Sequence, residues 1–209
     1  MPDDGIYWSE HRGEPVWGKI APGTWEAARI EAVPVVEPGV AKFIAALEST
    51  LNGGQVVYGS FLVTPASRFD WFPGAGGPMW SDIPPAAFAP VFVRHPVVRE
   101  TMQGALDGCD PSLTVKFERV SPLALHGLLA AQLVEGGAMS SGRFPSRDAK
   151  ALGLGFCRDL FGDRYEDVQV SYADFSWSPF FENIAWDRTW VVIDKGAQRV
   201  SMLCSTDFD

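Results

Sequence analysis

Four groups of residues in this chain have side chains that could do chemistry, and their spacing decides what that chemistry would be. His11, His95 and His126 stand far apart, with no His-x-x-x-His pair and no cysteine at ligand spacing, so the sequence predicts no zinc site. The carboxylates Asp187, Asp194, Asp207 and Asp209 crowd the C-terminal end. Gathered at one end of a hairpin they would offer the oxygen ligands that Ca²⁺ or Mg²⁺ prefers. No calcium-loop spacing accompanies them, and solvated strand ends are the plainer expectation. Cys157 with Asp159, and His126 brought from a distance, has the composition of a thiol site, which needs a base and an orienting group. A thiol beside Phe156 on an amphipathic helix is more simply a packed core residue.

Nucleophile and phosphate motifs are no better formed. Tyr58-Gly59-Ser60-Phe61 lacks the second glycine and the following helix of a nucleophile elbow. Gly74-Ala75-Gly76-Gly77 has no Lys-Ser/Thr behind it, so it is neither a nucleotide loop nor a dinucleotide fingerprint. The sequence therefore predicts no cofactor and no metal.

What stands out instead is aromatic mass beside acids. The chain of 209 residues carries 8 Trp and a net charge of −9. From Asp159 to Asp209 there are ten acids against four bases, so −6 of that charge falls in the last quarter. Acidic bias speaks against nucleic acid, which needs a basic footprint, and suits a basic protein partner. Aromatic anchors rimmed by charge are the usual make-up of a binding surface. The candidate partner-binding residues are Trp177, Phe180, Glu182 and Asp187, with Trp71 and Trp80 as a second patch. An enzyme is the competing reading, with Asp187 and Glu182 as general acid and base in a cleft roofed by residues 65–90.

Those residues need elements to position them. The spacing predicts helices over 38–52, 96–106, 122–135 and 146–161, and strands over 55–64, 113–119, 167–172, 189–194 and 199–205. Pro38 and Pro122 fall in the first turns of two helices, and Ser121 and Ser146 are placed as caps. Gly153 and Gly155 inside the last helix predict either a close approach there or a break. Val56, Tyr58 and Leu62 alternate with Val57, Phe61 and Val63, which marks a strand covered on both faces. Lys195-Gly196-Ala197-Gln198 joins the last two strands, and Gly196 is the residue expected to supply a positive φ. The hairpin should lie at the centre of the sheet. Intermixed helices with hairpin-linked strands predict a single α+β domain over 1–209 with a mostly antiparallel sheet. Residues 65–90 read as a long aromatic loop set among prolines and glycines, and 136–145 as a candidate linker.

Cys109, Cys157 and Cys204, odd in number and without a Cys-x-x-Cys pair, fit reduced thiols of a cytoplasmic protein. Met1-Pro2-Asp3-Asp4 has neither the basic nor the apolar region of a signal peptide. The longest apolar run, Leu123 to Val134, is too short to span a bilayer.

The stretch Phe181-Glu182-Asn183-Ile184-Ala185-Trp186-Asp187, followed by a strand ending in Asp194 at a hairpin turn, resembles immunity proteins of bacterial toxin systems. About thirty residues carry the resemblance. Arg188-Thr189-Trp190 stand where such proteins have glycines, and no N-terminal helical motif corresponds. The resemblance implies a cytoplasmic inhibitor that binds and neutralises a cognate toxin, a basic protein in this case.

Overall fold

A computed structural model describes residues 29–64, 92–109, 117–138 and 144–208. The predicted loop over 65–90, with Trp71 and Trp80, lies outside the described residues, as do Leu113 to Lys116. Among the described residues six strands form one sheet: β1 (Arg29–Val33), β2 (Gln55–Thr64), β3 (Glu118–Val120), β4 (Val168–Ala173), β5 (Arg188–Asp194) and β6 (Arg199–Thr206). Their order is β1-β2-β6-β5-β4-β3, and every neighbouring pair is antiparallel. The C-terminal hairpin supplies the two central strands, as its apolar density predicts. The helices among the described residues are α1 (Pro38–Thr50), α2 (Pro96–Thr101), α3 (Pro122–Glu135) and α4 (Ser146–Phe161). The fold is α+β.

Strand alternation sends side chains to two cores. On one face Val168, Val170, Trp190, Val192 and Leu203 meet the inner stripes of α1, α3 and α4. On the other, Phe61, Val63, Val191, Met202 and Cys204 meet α2 and the irregular segments around it. A sheet covered on both sides explains why β2 and β5 carry apolar residues on both faces.

The helical layer depends on one close approach. A Cβ at Gly153 would lie 2.3 Å from the His126 carbonyl oxygen of α3 and 3.4 Å from the Ala130 nitrogen. The glycine that costs α4 some helix propensity is what brings the two helices together, and α4 runs through it unbroken. Gly153→Ala therefore sets a gain of about 1 kcal/mol in propensity against overlap with a backbone atom. The overlap should win, with a net loss of roughly 1–3 kcal/mol, read as a lower urea midpoint at unchanged slope.

Several local expectations are corrected. Helix α2 stops at Thr101, where the threonine hydroxyl turns back to the Val97 carbonyl (2.7 Å), and Gly104 follows at φ +90°. Of the third predicted strand, 113–119, the described part is Glu118–Val120, which runs one residue further and leaves Phe117 outside it. Ser121 holds the N-cap of α3 without a side-chain bond, and Ser146 is already helical behind Pro145. In the hairpin turn Gln198, not Gly196, takes the positive φ (52°). Gly196 is instead crowded: a Cβ there would come within 3.1 Å of an Asp167 carboxylate oxygen.

Candidate functional site

Residues 174–187 connect β4 to β5 without regular structure, and they contain most of the residues expected to meet a partner. Adjacent antiparallel strands can be joined by two residues, so a connection this long needs its own support. It has that support from within. Trp177 is buried, donates from Nε1 to Thr189 Oγ1 (2.8 Å), and packs against Phe181 and Phe117 at ring separations of 5.5 and 6.5 Å. Ser178 donates to the Ala105 carbonyl (2.8 Å), tying the connection to the end of the α2 region. Phe181 is buried, and its N–H reaches the Ser178 carbonyl (3.1 Å).

The second half is held by a carboxylate. Asp187 is 0% exposed. Its Oδ2 accepts from the Ile184 N–H (3.0 Å) and its Oδ1 from the Thr206 hydroxyl of β6 (2.7 Å). Arg188 adds a bond from Nη1 to the Ala185 carbonyl. Asn183 sits at φ +60°, a conformation asparagine tolerates better than most side chains. Buried supports and a left-handed residue together fix the course of the loop.

Trp177 and Asp187 are therefore corrected as surface residues: both point inward and serve as the anchors beneath the loop. The sequence alone could not assign the two sides of this segment. Phe180 is half-buried against Phe181 (5.0 Å, edge-on), and Glu182 is exposed. Exposed beside them are Asp174, Phe175 at 38% and Asn183. Asp187 is closed into the protein with a hydrogen bond on each oxygen, whereas Glu182 is exposed.

The other candidate chemistries resolve into structural roles. Asp194 and Asp187 lie at opposite ends of β5, about 20 Å apart at strand rise, so these two carboxylates do not gather, and Asp209 lies outside the described residues. Asp194 accepts both Nε (3.0 Å) and Nη2 (2.6 Å) of Arg164 and the Ala197 N–H (2.9 Å), which clamps the hairpin turn. Among the described residues no three His, Cys, Asp or Glu side chains converge as metal ligands. Cys157 is a core residue whose thiol burial pushes up to about 12, the opposite of an activated nucleophile. A cleft lined by Leu47, Leu51, Gln132, Glu135, Gly136, Trp186 and Arg188 has a volume near 10 Å³, room for a single water. Among the described residues no helix is long and apolar enough to cross a membrane.

Two polar assemblies went unseen in the sequence because their members lie far apart along it. Arg199 reaches from β6 to Ser60 (2.6 Å) and Glu37 (2.6 Å), joining the start of α1 to the sheet. Burial by itself would raise the Glu37 carboxyl, but the Arg199 hydrogen bond and charge outweigh it and hold it below the usual value. In the second, Trp190 donates to Gln132 Oε1 (3.0 Å), and Gln132 Nε2 donates to Ser205 (2.9 Å). Comparison with protein-family models, curated proteins and solved structures finds no match.

Proposed function

We propose that the chain is a protein-binding module whose contact surface is the outer side of the 174–187 connection. In its specific form it is an immunity-type inhibitor of a basic bacterial toxin. One observation carries the reading: an irregular connection is fixed from below by buried Trp177, Ser178, Phe181 and Asp187, and it presents Phe175, Asp174 and Glu182 outward. A loop already held in one shape loses little conformational freedom on binding. An exposed aromatic flanked by carboxylates complements a basic surface containing an apolar notch.

The test is co-expression with the product of the neighbouring gene, followed by titration of purified pairs. Phe175→Ala should weaken binding by about 1–2 kcal/mol through faster dissociation. Glu182→Lys should mainly slow association and blunt its salt dependence. Both positions are exposed, so thermal midpoints should stay within a degree or two of the parent. A neighbouring product that is harmless alone would remove the immunity reading. Variants that bind like the parent would remove this surface.

A further inference from the structure

The helical side of the molecule differs in character from the rest. Helix α3 is apolar on its outer face as well as its inner one. Leu123 is 65% exposed and Leu128 40%, with Gly127 and Ala131 between and beside them. A surface helix in water ordinarily turns polar residues outward, and one that does not has a face that a partner can cover.

Beside it the exposed stripe of α4 is basic. Arg147, Lys150, Leu154 and Arg158 recur at spacings of three and four, which places them on one outward face. Leu154 is 43% exposed. Among the described residues Arg147 and Lys150 have no ion-pair partner, and Arg158, with its side chain 79% exposed, makes only a 3.3 Å contact with its neighbour Asp159. Asp148 is the exposed acid on this helix. In a chain of net charge −9, this concentration of cations along a leucine strip marks a surface of different use.

We infer that the outer α3–α4 surface is a docking site for an acidic amphipathic helix of a partner protein. The close approach at Gly153 sets α3 and α4 side by side. At Gly127 an added Cβ would meet nothing within 4 Å, so the α3 backbone lies open to an incoming helix. Leu123, Leu128 and Leu154 supply apolar contacts, and Arg147, Lys150 and Arg158 face the acids that flank the guest's apolar stripe. Charge separates this occupant from two others. A bilayer or a long nucleic acid is extended and meets the field of the whole acidic molecule. A single helix is governed by charges within about 8–10 Å, the screening length at physiological salt.

The probe is a fluorescein-labelled synthetic helix of about five turns with leucines on one face and glutamates on the other, compared with its lysine counterpart. Fluorescence anisotropy with the full chain should show the glutamate peptide binding at least tenfold (~1.4 kcal/mol) more tightly, with the preference shrinking as salt rises. Combined R147E, K150E and R158E should invert the preference, and L128S with L154S should weaken the glutamate peptide about tenfold. Circular dichroism and melting confirm that each variant is folded. If the triple reversal does not fold, R147E and K150E singly should move the preference in the same direction. Equal binding of both peptides, or indifference to the leucine changes, would overturn the inference. Co-sedimentation with phosphatidylserine vesicles without peptide discrimination would assign the face to a membrane instead. A dimer in light scattering that the leucine changes dissolve would assign it to a second copy. Glu182→Lys should leave the peptide titration unchanged, which keeps this surface separate from the 174–187 loop.

Discussion

Replacing Asp207 by alanine is expected to cost about 3–5 kcal/mol of stability, a large share of what a domain of this kind possesses. The side chain is 0% exposed and lies just beyond the end of β6. Its Oδ1 accepts the N–H groups of Asn52 (2.7 Å) and Gly54 (3.1 Å), and its Oδ2 accepts that of Ala138 (2.7 Å). One carboxylate therefore joins the link from α1 to β2 with the residues that follow α3. Removing it leaves three inward-facing donors without an acceptor, and each unsatisfied group costs about 1–3 kcal/mol. Some of that is offset because a charge no longer has to be desolvated. Asp207→Asn keeps one good acceptor oxygen and should recover about half the loss. Urea denaturation decides the matter: a fall in midpoint below the equivalent of about 1 kcal/mol would mean that water replaces the carboxylate. The Ala138 bond also shows that the beginning of the predicted linker over 136–145 is pinned. Gly136 and Gly137 are buried, and the Gly137 N–H donates to the Thr50 carbonyl (3.0 Å).

Trp177→Ala should have an effect of similar size for a different reason. Here the loss is packing: an indole 4% exposed leaves contacts with Phe117 and Phe181, and the surroundings close only partly around the space. Truncations of this kind cost about 3–5 kcal/mol. Trp177→Phe restores much of the ring contact but removes the donor to Thr189 Oγ1, so a loss of about 1–2 kcal/mol is expected. Two readouts separate support from contact. Near-UV circular dichroism should lose aromatic signal in Trp177→Ala, and partner binding should weaken only as the 174–187 loop loses order. Glu182→Lys should show the reverse pattern, with binding changed and stability kept. A Trp177→Ala protein as stable as the parent would mean that the loop is not held from beneath.

Much of the architecture was readable in one dimension because the signals for it are local. The stripe Val40, Phe43, Leu47 recurs at helical spacing, so α1 is specified within its own thirteen residues. The turn between β5 and β6 is bounded by apolar runs that can pair only with each other or with a neighbour of the same kind. Gly153 announced either a close approach or a break in its helix, and the packed helices show the approach. Where local signals compete, the reading slipped. Thr101 can continue a helix or end one, and only the packed chain shows which it does.

The sequence by itself determined the class of fold, the central place of the C-terminal hairpin and which segment is rich in aromatics. Which side chains of that segment face outward was decided by tertiary structure. An aspartate spells the same letter whether it is solvated, as Asp174 is, or closed into the protein, as Asp187 and Asp207 are. The difference lies in hydrogen-bond partners brought from 155 and 69 positions away for Asp207, and from the far strand of the hairpin for Asp187. Burial and pairing of a polar group depend on contacts distant in sequence, and those exist only once the sheet has closed around them.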